Sequence, residues 1–274
     1  AEAVLGKLGP DPSEDELRIA IGAGGSVGFG LGTALAGMGE RCAPERDYVA
    51  VAGLLPAGKG VFPILEAKLE MGFRTFKWKV GVQDPRDEQV LLDDVLAILP
   101  EGSRLRLDAN GAWSRRVAER WLEVCAERSA IEFVEQPTAA DNPDLLLGLA
   151  GDYPTTLALD EAVLGRRDFE RWQGQGWPGV YVIKPALWGD PVDLSAALAE
   201  HKADVVISSA LETVVGAEIV LRLAFECSGV NRAIGCGVWP LFERAAFNGP
   251  MAMPFLRWSE VARLDAAEAW RAVG

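Results

Sequence analysis

Residues 104–137 read RLRLDANGAWSRRVAERWLEVCAERSAIEFVEQP and contain one complete structural unit. The runs at 104–110 and 131–137 are β-type segments that end in polar residues. Between them, residues 115–127 place apolar side chains at i, i+3, i+4 and i+7, which is the spacing of an amphipathic helix. The stretch therefore predicts a strand, a crossover helix and a second strand parallel to the first.

The same unit recurs along the chain. Runs of β type begin at residues 48, 73, 104, 131, 155, 179, 203 and 232. Successive starts lie 24 to 31 residues apart, which accommodates one strand, one loop and one helix. Eight such units close a barrel, so we expect an α/β fold, a TIM-type (β/α)7β barrel, over residues 49–239. An open doubly wound sheet is the main alternative, and the lack of a Gly-rich first turn counts against it.

Residues 1–48 and 240–274 fall outside the repeat. Residues 11–21 (DPSEDELRIAI) read as a capped helix, and residues 25–38 as a Gly-rich apolar helix suited to close packing. We expect residues 1–48 to form a partial N-terminal capping region, and residues 240–274 to pack back on it. Because the chain begins with Ala1 rather than Met, we also expect that a segment is missing upstream.

Composition excludes several classes of function. The 274 residues include 27 Lys and Arg against 40 Asp and Glu, a formal net charge of −13 that repels nucleic acid. There is no apolar run near the roughly 18 residues of a membrane span, and no signal peptide pattern. We therefore expect a soluble, cytoplasmic protein that binds neither nucleic acid nor membrane. Both a monomer and a homo-oligomer stay open.

Cysteine, histidine and phosphate-loop chemistry are also unsupported. The four cysteines (Cys42, Cys125, Cys227 and Cys236) form no C-x-x-C pair, so we expect buried small side chains rather than a zinc site or disulfides. The single histidine, His201, lies where a helix is expected to end, which makes a Ser-His-Asp triad improbable. Residues 53–60 (GLLPAGKG) resemble a phosphate loop but lack its final Ser or Thr.

Scarce lysines mark the strand ends. Only seven of the 27 basic residues are lysine, and the others are arginine. Of these two residue types, only lysine can lose its proton. In the second run, Lys77 and Lys79 alternate with Trp78, so both amines face the barrel mouth. Two neighbouring ammonium groups disfavour each other's charge, which favours a base near neutral pH. Lys184 ends the sixth run; the alternative for Lys77 and Lys79 is a pair of surface lysines on an edge strand.

Three carboxylates end the strands between these lysines. Asp108, Glu135 and Asp160 follow the third, fourth and fifth runs, and adjacent strands lie roughly 4.8 Å apart. Three carboxylates at equal heights converge on one point, where they would repel one another without a cation. An all-oxygen set favours Mg²⁺, or Mn²⁺. A single such carboxylate could serve as a helix cap, but three in succession predict a metal site flanked by lysines.

These motifs resemble the enolase superfamily in its muconate-lactonizing subgroup. The resemblance covers residues 49 to about 239. It rests on FKWKV, LDAN, VEQP, LDE, IKP and ISSALETVVG in successive runs. Members of the family usually carry an N-terminal capping domain with strands as well as helices, of which only the helical part is evident here. The resemblance therefore implies a partial α+β cap beside the barrel.

The resemblance also implies a role for each site residue. Lys79 would remove the proton beside a substrate carboxylate and then protonate the departing hydroxide, while Lys184 would stabilise the enediolate from the other side of the ring. Asp108, Glu135 and Asp160 would bind Mg²⁺, and Lys77 would tune Lys79. Ser208 and Ser209 would hold the succinyl or carboxylate end.

The activity that this implies is that of a Mg²⁺-dependent lyase that dehydrates 2-succinyl-6-hydroxy-2,4-cyclohexadiene-1-carboxylate. Racemisation of N-acylamino acids, epimerisation of dipeptides or cycloisomerisation would use the same residues. A third hypothesis is a barrel without enzymatic activity.

Overall fold

The structure is a computed structural model that describes residues 1–36, 44, 46–227 and 230–273. Cys42 lies outside the described residues. Cys125, Cys227 and Cys236 are buried and free, as the sequence predicts. His201 is the last residue of its helix and packs edge-on against Phe169, which confirms its predicted place at a helix end.

A seven-stranded parallel sheet forms the centre of the molecule, with its strands in sequence order. Its strands are β2 (Gly53–Leu55), β3 (Thr75–Lys79), β4 (Arg104–Asp108), β5 (Ile131–Glu135), β6 (Leu157–Leu159), β7 (Val180–Ile183) and β8 (Val205–Ile207). Because every neighbour is parallel and consecutive, each connection is a crossover and all the carboxyl ends meet at one edge. The predicted succession of parallel strands is confirmed.

Helices connect the strands of the sheet, and further helices precede its first strand and follow its last. They are α1 (Glu2–Leu5), α2 (Glu14–Ile21), α3 (Gly25–Ala36), α4 (Val61–Glu70), α5 (Pro85–Ile98), α6 (Arg115–Ala126), α7 (Pro143–Asp152), α8 (Arg166–Gly174), α9 (Pro185–Trp188), α10 (Pro191–His201), α11 (Val214–Glu226), α12 (Trp258–Val261) and α13 (Ala266–Val273). Short 3-10 helices lie at Gly58–Gly60 and Ala245–Phe247. Helices form within the predicted ranges 11–21, 25–38 and 115–127, of which residues 37 and 38 lie outside the described residues, and α2 has the expected capping box at Ser13.

The first and last predicted runs differ from single barrel strands. Residues 48–55 divide into β1 (Tyr48–Ala50) and β2, and β1 pairs antiparallel with β9 (Phe255–Arg257) outside the main sheet. Residues 232–238 form isolated parallel bridges, Val51 with Ile234 and Ser208 with Gly235. This segment thus contacts both edges of the sheet through single bridges, because its glycines favour a strand only weakly.

Side-chain alternation divides the core into two parts. Inside the curled sheet, Phe133, Ala158, Val180, Val182 and Val206 form a separate buried cluster. The outward side chains, with Trp78 as an example, join the larger core beneath the helices. Both parts exclude water, and burial of this apolar surface is the main driving force for folding.

The terminal segments pack on different helices. Helix α3 contacts α2, α9 and α10, whereas α13 contacts α11. The division into residues 1–48, 49–239 and 240–274 stays a prediction. Among the described residues, no helix has the length and apolar character needed to cross a membrane.

Candidate active site

Strand register aligns the predicted site residues at the carboxyl edge of the sheet. Lys79 pairs with Asp108 across β3 and β4, and Asp108 pairs with Glu135 across β4 and β5. Glu135 in turn stands opposite Ala158, two residues before Asp160. Because side chains alternate along a strand, residues 158 and 160 point to the same side of the sheet. The fold thus places Lys79 and the three carboxylates along consecutive strands.

Ion pairs join the lysines to these carboxylates. Lys77 Nζ lies 2.6 Å from Glu135 Oε1 and 2.9 Å from Asp108 Oδ2. Lys79 Nζ donates to the same Asp108 oxygen at 2.5 Å. Lys184, just beyond β7, pairs with Asp160. The two lysines of β3 therefore converge on one carboxylate, while Trp78 between them is fully buried on the opposite face, as predicted.

Burial and charge act in opposite directions on this cluster. Burial raises the pKa of Glu135 to about 8, and the neighbouring Asp108 and Asp160 add to the rise against the effect of Lys77. Burial also opposes ionisation of Asp108, but Lys77 and Lys79 hold its pKa below the ordinary value. The sequence-based expectation that the lysine pair lowers both amine pKa values is wrong for Lys77. Burial acts to lower its pKa, but Glu135, Asp108 and Asp160 raise it well above the usual range.

The predicted serines lie at the end of β8. Both are buried, at 5% and 6% exposure, yet each lines the cavity beside the lysines. Ser208 Oγ donates to the carbonyl oxygen of Gly235 at 3.2 Å. Ser209 Oγ accepts the Leu211 amide at 2.9 Å. Both hydroxyls are thus held by the loop contacts around them.

A cavity of about 290 Å³ opens over this edge of the sheet. Its polar side is formed by Lys77, Lys79, Asn110, Asp160, Lys184, Ser208 and Ser209. Its other side is apolar or glycine and consists of Ala52, Leu54, Leu211, Gly235, Gly237 and Val238. Asp108 and Glu135 are fully buried and connect to the cavity through Lys77 and Lys79. A cavity with one polar and one apolar side fits a small organic acid that has one apolar face.

The convergence of the three carboxylates on one cation stays a prediction. Across the described part of the chain, no group of three or more His, Cys, Asp or Glu side chains is arranged to hold a metal ion. Each carboxylate is instead bonded to a lysine ammonium group. The donor chemistry nevertheless fits Mg²⁺, because all three side chains are buried oxygen donors at neighbouring strand ends. Burial, with Asp108 and Asp160 as further contributions, raises the pKa of Glu135, and a divalent cation bound to these oxygens would favour the ionised form.

Sequence reasoning missed several residues of this site. Asn110 Oδ1 accepts from Lys79 at 2.7 Å, and Asn110 Nδ2 donates to Glu161 at 2.9 Å. Asn110 lies two residues after Asp108 within the quoted LDAN motif, and its position in the loop after a site strand is the signal that could have identified it. Leu54, Leu211 and Val238 carry no chemical signal in sequence, since only the fold reveals that they line the cavity.

A larger cleft, of about 970 Å³, lies at the opposite end of the sheet. Three of the charged groups that line it pair with one another: Arg232 contacts Glu132 at 2.6 Å and Asp204 at 2.7 Å. The carboxyl edge, with its paired lysines and carboxylates, is therefore the better candidate for chemistry despite its smaller volume.

The chain belongs to the enolase C-terminal domain-like family, whose model matches residues 64–253. It is 40% identical over 214 residues to the o-succinylbenzoate synthase of Thermosynechococcus vestitus, a match that covers 77% of this chain and 66% of that protein. The o-succinylbenzoate synthase of Photorhabdus laumondii is 30% identical over 225 residues, which cover 80% of this chain and 65% of that protein. The chain thus spans about two thirds of the length of these curated relatives.

Solved structures give the same relationship. The o-succinylbenzoate synthase of Thermosynechococcus elongatus BP-1, complexed with magnesium in the active site, superimposes with a TM-score of 0.76 at 36% identity. That match covers 86% of this chain and 74% of the other. The L-Ala-D/L-Glu epimerase of Bacillus subtilis, 22% identical, shares the fold with a TM-score of 0.73 over 87% of this chain and 70% of the other.

Proposed function

We propose that this protein is a Mg²⁺-dependent carbon-oxygen lyase of the o-succinylbenzoate synthase type. It would dehydrate 2-succinyl-6-hydroxy-2,4-cyclohexadiene-1-carboxylate to o-succinylbenzoate, a step of menaquinone and phylloquinone biosynthesis. The observation that carries the proposal is the cavity in which Lys79 and Lys184 meet buried carboxylates. The identity of 40% to a relative of that name supports the choice of substrate.

The architecture that we propose for this activity is a closed (β/α)7β barrel with a partial N-terminal α+β cap. The bridges of Ile234 and Gly235 to the two sheet edges support closure. The substrate would enter at the carboxyl edge, which is where barrel enzymes bind their ligands.

In the reaction, Lys79 would act as the base. Its amine would take the proton from C1 of the ring, and the electrons of that C–H bond would move towards the adjacent carboxylate to give the enediolate. Return of those electrons would form the C1–C6 double bond as the C6–O bond breaks, and the proton returned by Lys79 would convert the departing hydroxide to water. The product ring is aromatic, which drives the step. Lys77, which shares Asp108 with Lys79, and Asn110, which accepts a hydrogen bond from Lys79, would control the charge and orientation of that amine.

Lys184 would act from the other side of the ring. It lies after β7, and three strands separate β7 from the β3 position of Lys79. Its ammonium group would stabilise the negative charge that develops on the substrate, with a cation–π contact to the ring as a further contribution. The apolar side of the cavity, from Leu54, Leu211 and Val238, would contact the ring. Ser208 and Ser209 would hold the succinyl or carboxylate end.

Asp108, Glu135 and Asp160 would hold the cation. When bound, Mg²⁺ (or Mn²⁺) would neutralise the substrate carboxylate and the enediolate charge that develops on it. The lysine ammonium groups would give up their present bonds to these carboxylate oxygens as the cation and the substrate enter.

A second candidate is proton exchange without dehydration, as in an N-acylamino acid racemase, dipeptide epimerase or cycloisomerase. It is favoured by the placement of a lysine on each of two separated strands, since a base on either side of a carbon permits exchange. The third candidate, a non-enzymatic barrel or an inactive paralogue, would be supported if the protein failed to bind Mg²⁺ or to unfold cooperatively.

Incubation in deuterium oxide with Mg²⁺ distinguishes the two activities. The protein would be given the cyclohexadiene carboxylate in one reaction and an N-succinylamino acid in another. The proposal predicts o-succinylbenzoate in the first. Deuterium at the α-carbon of the second substrate, without conversion of the first, would instead establish the racemase.

A further inference from the structure

Gln136 connects the loops that follow three strands of the sheet. It comes directly after Glu135, the last residue of β5, and its side chain is completely buried. The contacts of Gln136 are with the segments after β4, β5 and β6. Two of the carboxylates proposed to hold the cation, Glu135 and Asp160, belong to these strand ends.

The side-chain amide of Gln136 uses both of its ends. Its Oε1 accepts the amide N–H of Asp160 at 3.0 Å and that of Ala162 at 3.1 Å. Its Nε2 donates to the carbonyl oxygen of Thr138 at 2.9 Å. Only a side chain with an acceptor and a donor at this length satisfies all three groups, which distinguishes glutamine from glutamate or methionine.

The main chain of Gln136 completes the connection. Its N–H donates to Ala158 at 2.8 Å, and its carbonyl oxygen accepts the Gly111 amide at 2.7 Å. The residue has a φ of +37°, a value that non-glycine residues rarely adopt. Such a conformation costs free energy and persists only where the surrounding contacts enforce it.

These contacts fix Asp160 relative to Glu135 through one side chain. The Asp160 amide is held by Gln136 Oε1, and Glu135 is the covalent neighbour of Gln136. Rotation or translation of either strand end would break hydrogen bonds between buried groups and leave polar atoms unsatisfied, which is unfavourable. The Gln136 amide therefore adds a side-chain connection between the two carboxylate-bearing strand ends to the main-chain pairing of β5 with β6.

We propose that Gln136 is a positioning residue for the cation, which sets the separation of Glu135 and Asp160 without contacting the ion. The inference rests on the proposed Mg²⁺ site. Groups that orient metal ligands in this way typically contribute about 10- to 100-fold to metal affinity. Gln136→Met keeps the length of the side chain and removes its three hydrogen bonds.

A matched control separates this role from general stabilisation. Thr155 is also buried, at 8% exposure, and its hydroxyl donates to the Leu122 carbonyl at 2.9 Å. It lies before β6, at the end of the strand far from Asp160. Thr155→Val therefore removes a buried hydrogen bond in the same strand connection without touching the carboxylates.

The test is calorimetric titration of Mg²⁺ into the wild-type protein and both variants, with thermal unfolding of each. We expect Gln136→Met to bind Mg²⁺ about 10- to 100-fold more weakly, and Thr155→Val to stay within about twofold of wild type even where its Tm falls. If Gln136→Met does not fold, Gln136→Asn, which is one methylene too short to reach the same amides, provides the comparison.

Equal Mg²⁺ affinity in the wild type and the Gln136 variant would overturn the inference and leave the proposed function intact. A loss of affinity in Thr155→Val as large as that in Gln136→Met would overturn it as well, because any loosening of the fold would then suffice. A wild-type protein that binds no Mg²⁺ would refute both the inference and the metal site on which it rests.

Discussion

Lys79 is the residue that we propose as the general base. Its amine reaches Asp108 and Asn110 and lines the cavity, with a third of its side chain exposed. Lys77, by contrast, is held among carboxylates that raise its pKa against the effect of burial, so it remains an ammonium ion at neutral pH. The two lysines of one motif therefore differ in what they can do.

Lys79→Arg tests this division. Arginine keeps the positive charge but does not lose its proton, so we predict that turnover falls by about 100- to 10,000-fold while Mg²⁺ affinity is kept. Initial rates and calorimetric titration measure the two quantities. Lys59→Arg, at an exposed lysine, is the control. Turnover near the wild-type rate in Lys79→Arg would remove Lys79 from the role of base.

Gly235 limits the cavity beside Ser208. A Cβ atom at this position would lie 2.5 Å from Ser208 Oγ and 3.0 Å from Ser208 Cβ. Gly235→Ala must therefore displace Ser208, and we predict that kcat/KM falls by about 10- to 100-fold because the substrate is misplaced. Gly148→Ala, at an exposed helical glycine with open space around it, is expected to leave steady-state kinetics unchanged. Unaltered kinetics in Gly235→Ala would show that Ser208 does not hold substrate.

At the residue scale, the sequence could identify the charged part of the site because charge at a strand end is costly without a partner. Lys77, Lys79 and Lys184 all line the cavity, and their partners are the three carboxylates that the sequence indicated. The sequence could not identify which carboxylate oxygen each lysine amine would bind. That choice depends on a competition among several charges in a buried space, which only the assembled geometry decides.

Among the elements, the loop after β3 is held by a buried acid. Glu88 of α5 is fully buried, and its carboxylate accepts the amides of Gly81, Val82 and Gln83 at 2.8, 3.0 and 3.1 Å. These residues directly follow the strand that carries Lys79. The carboxylate thus anchors the chain where it leaves the active-site edge.

Glu88→Gln is predicted to destabilise the protein by about 1–3 kcal/mol. Glutamine has only one acceptor atom, so its NH₂ group would face a main-chain N–H and leave it unsatisfied. Denaturant unfolding measures the change, with Glu127→Gln at an exposed position as the control. A free energy of unfolding equal to that of wild type would contradict the anchoring role.

Periodicity located most elements, since the amphipathic pattern of α6 corresponds to its buried Ala118, Trp121, Leu122 and Cys125. The exceptions are at the edges of the sheet. Residues 48–50 pair with residues 255–257, a partner that lies far along the chain and outside the repeat. Such pairing depends on tertiary contact rather than local pattern, so the sequence alone joined β1 to β2 as one strand.

Across the whole molecule, charge is organised differently at the two ends of the sheet. At the end away from the cavity, Glu132 Oε2 accepts from Arg106 at 2.6 Å and Glu132 Oε1 from Arg232 at 2.6 Å. Burial acts to raise the pKa of Glu132, but the two guanidinium groups hold it below its ordinary value. This network stabilises the folded state through ionised Glu132.

The free energy of unfolding therefore depends on the protonation of Glu132. Because the folded-state pKa lies below the unfolded one, the contribution of Glu132 is fully present above its ordinary value of 4.5 and is lost as the pH falls through the lowered value. We predict that the free energy of unfolding decreases in that acid range, and that Glu132→Gln shows a shallower decrease. Denaturant unfolding at a series of pH values measures both. If the free energy of unfolding decreased equally with pH in wild type and Glu132→Gln, the arginines would not stabilise ionised Glu132.

The central claim is that the carboxylates and lysines at the carboxyl edge form one metal-dependent catalytic site. The most direct measurement is the rate of o-succinylbenzoate formation by chelator-treated protein as Mg²⁺ is added back. The account predicts no turnover in the chelator and a saturable recovery with Mg²⁺. Full turnover in the presence of the chelator, or none at saturating Mg²⁺ in a folded protein, would contradict it.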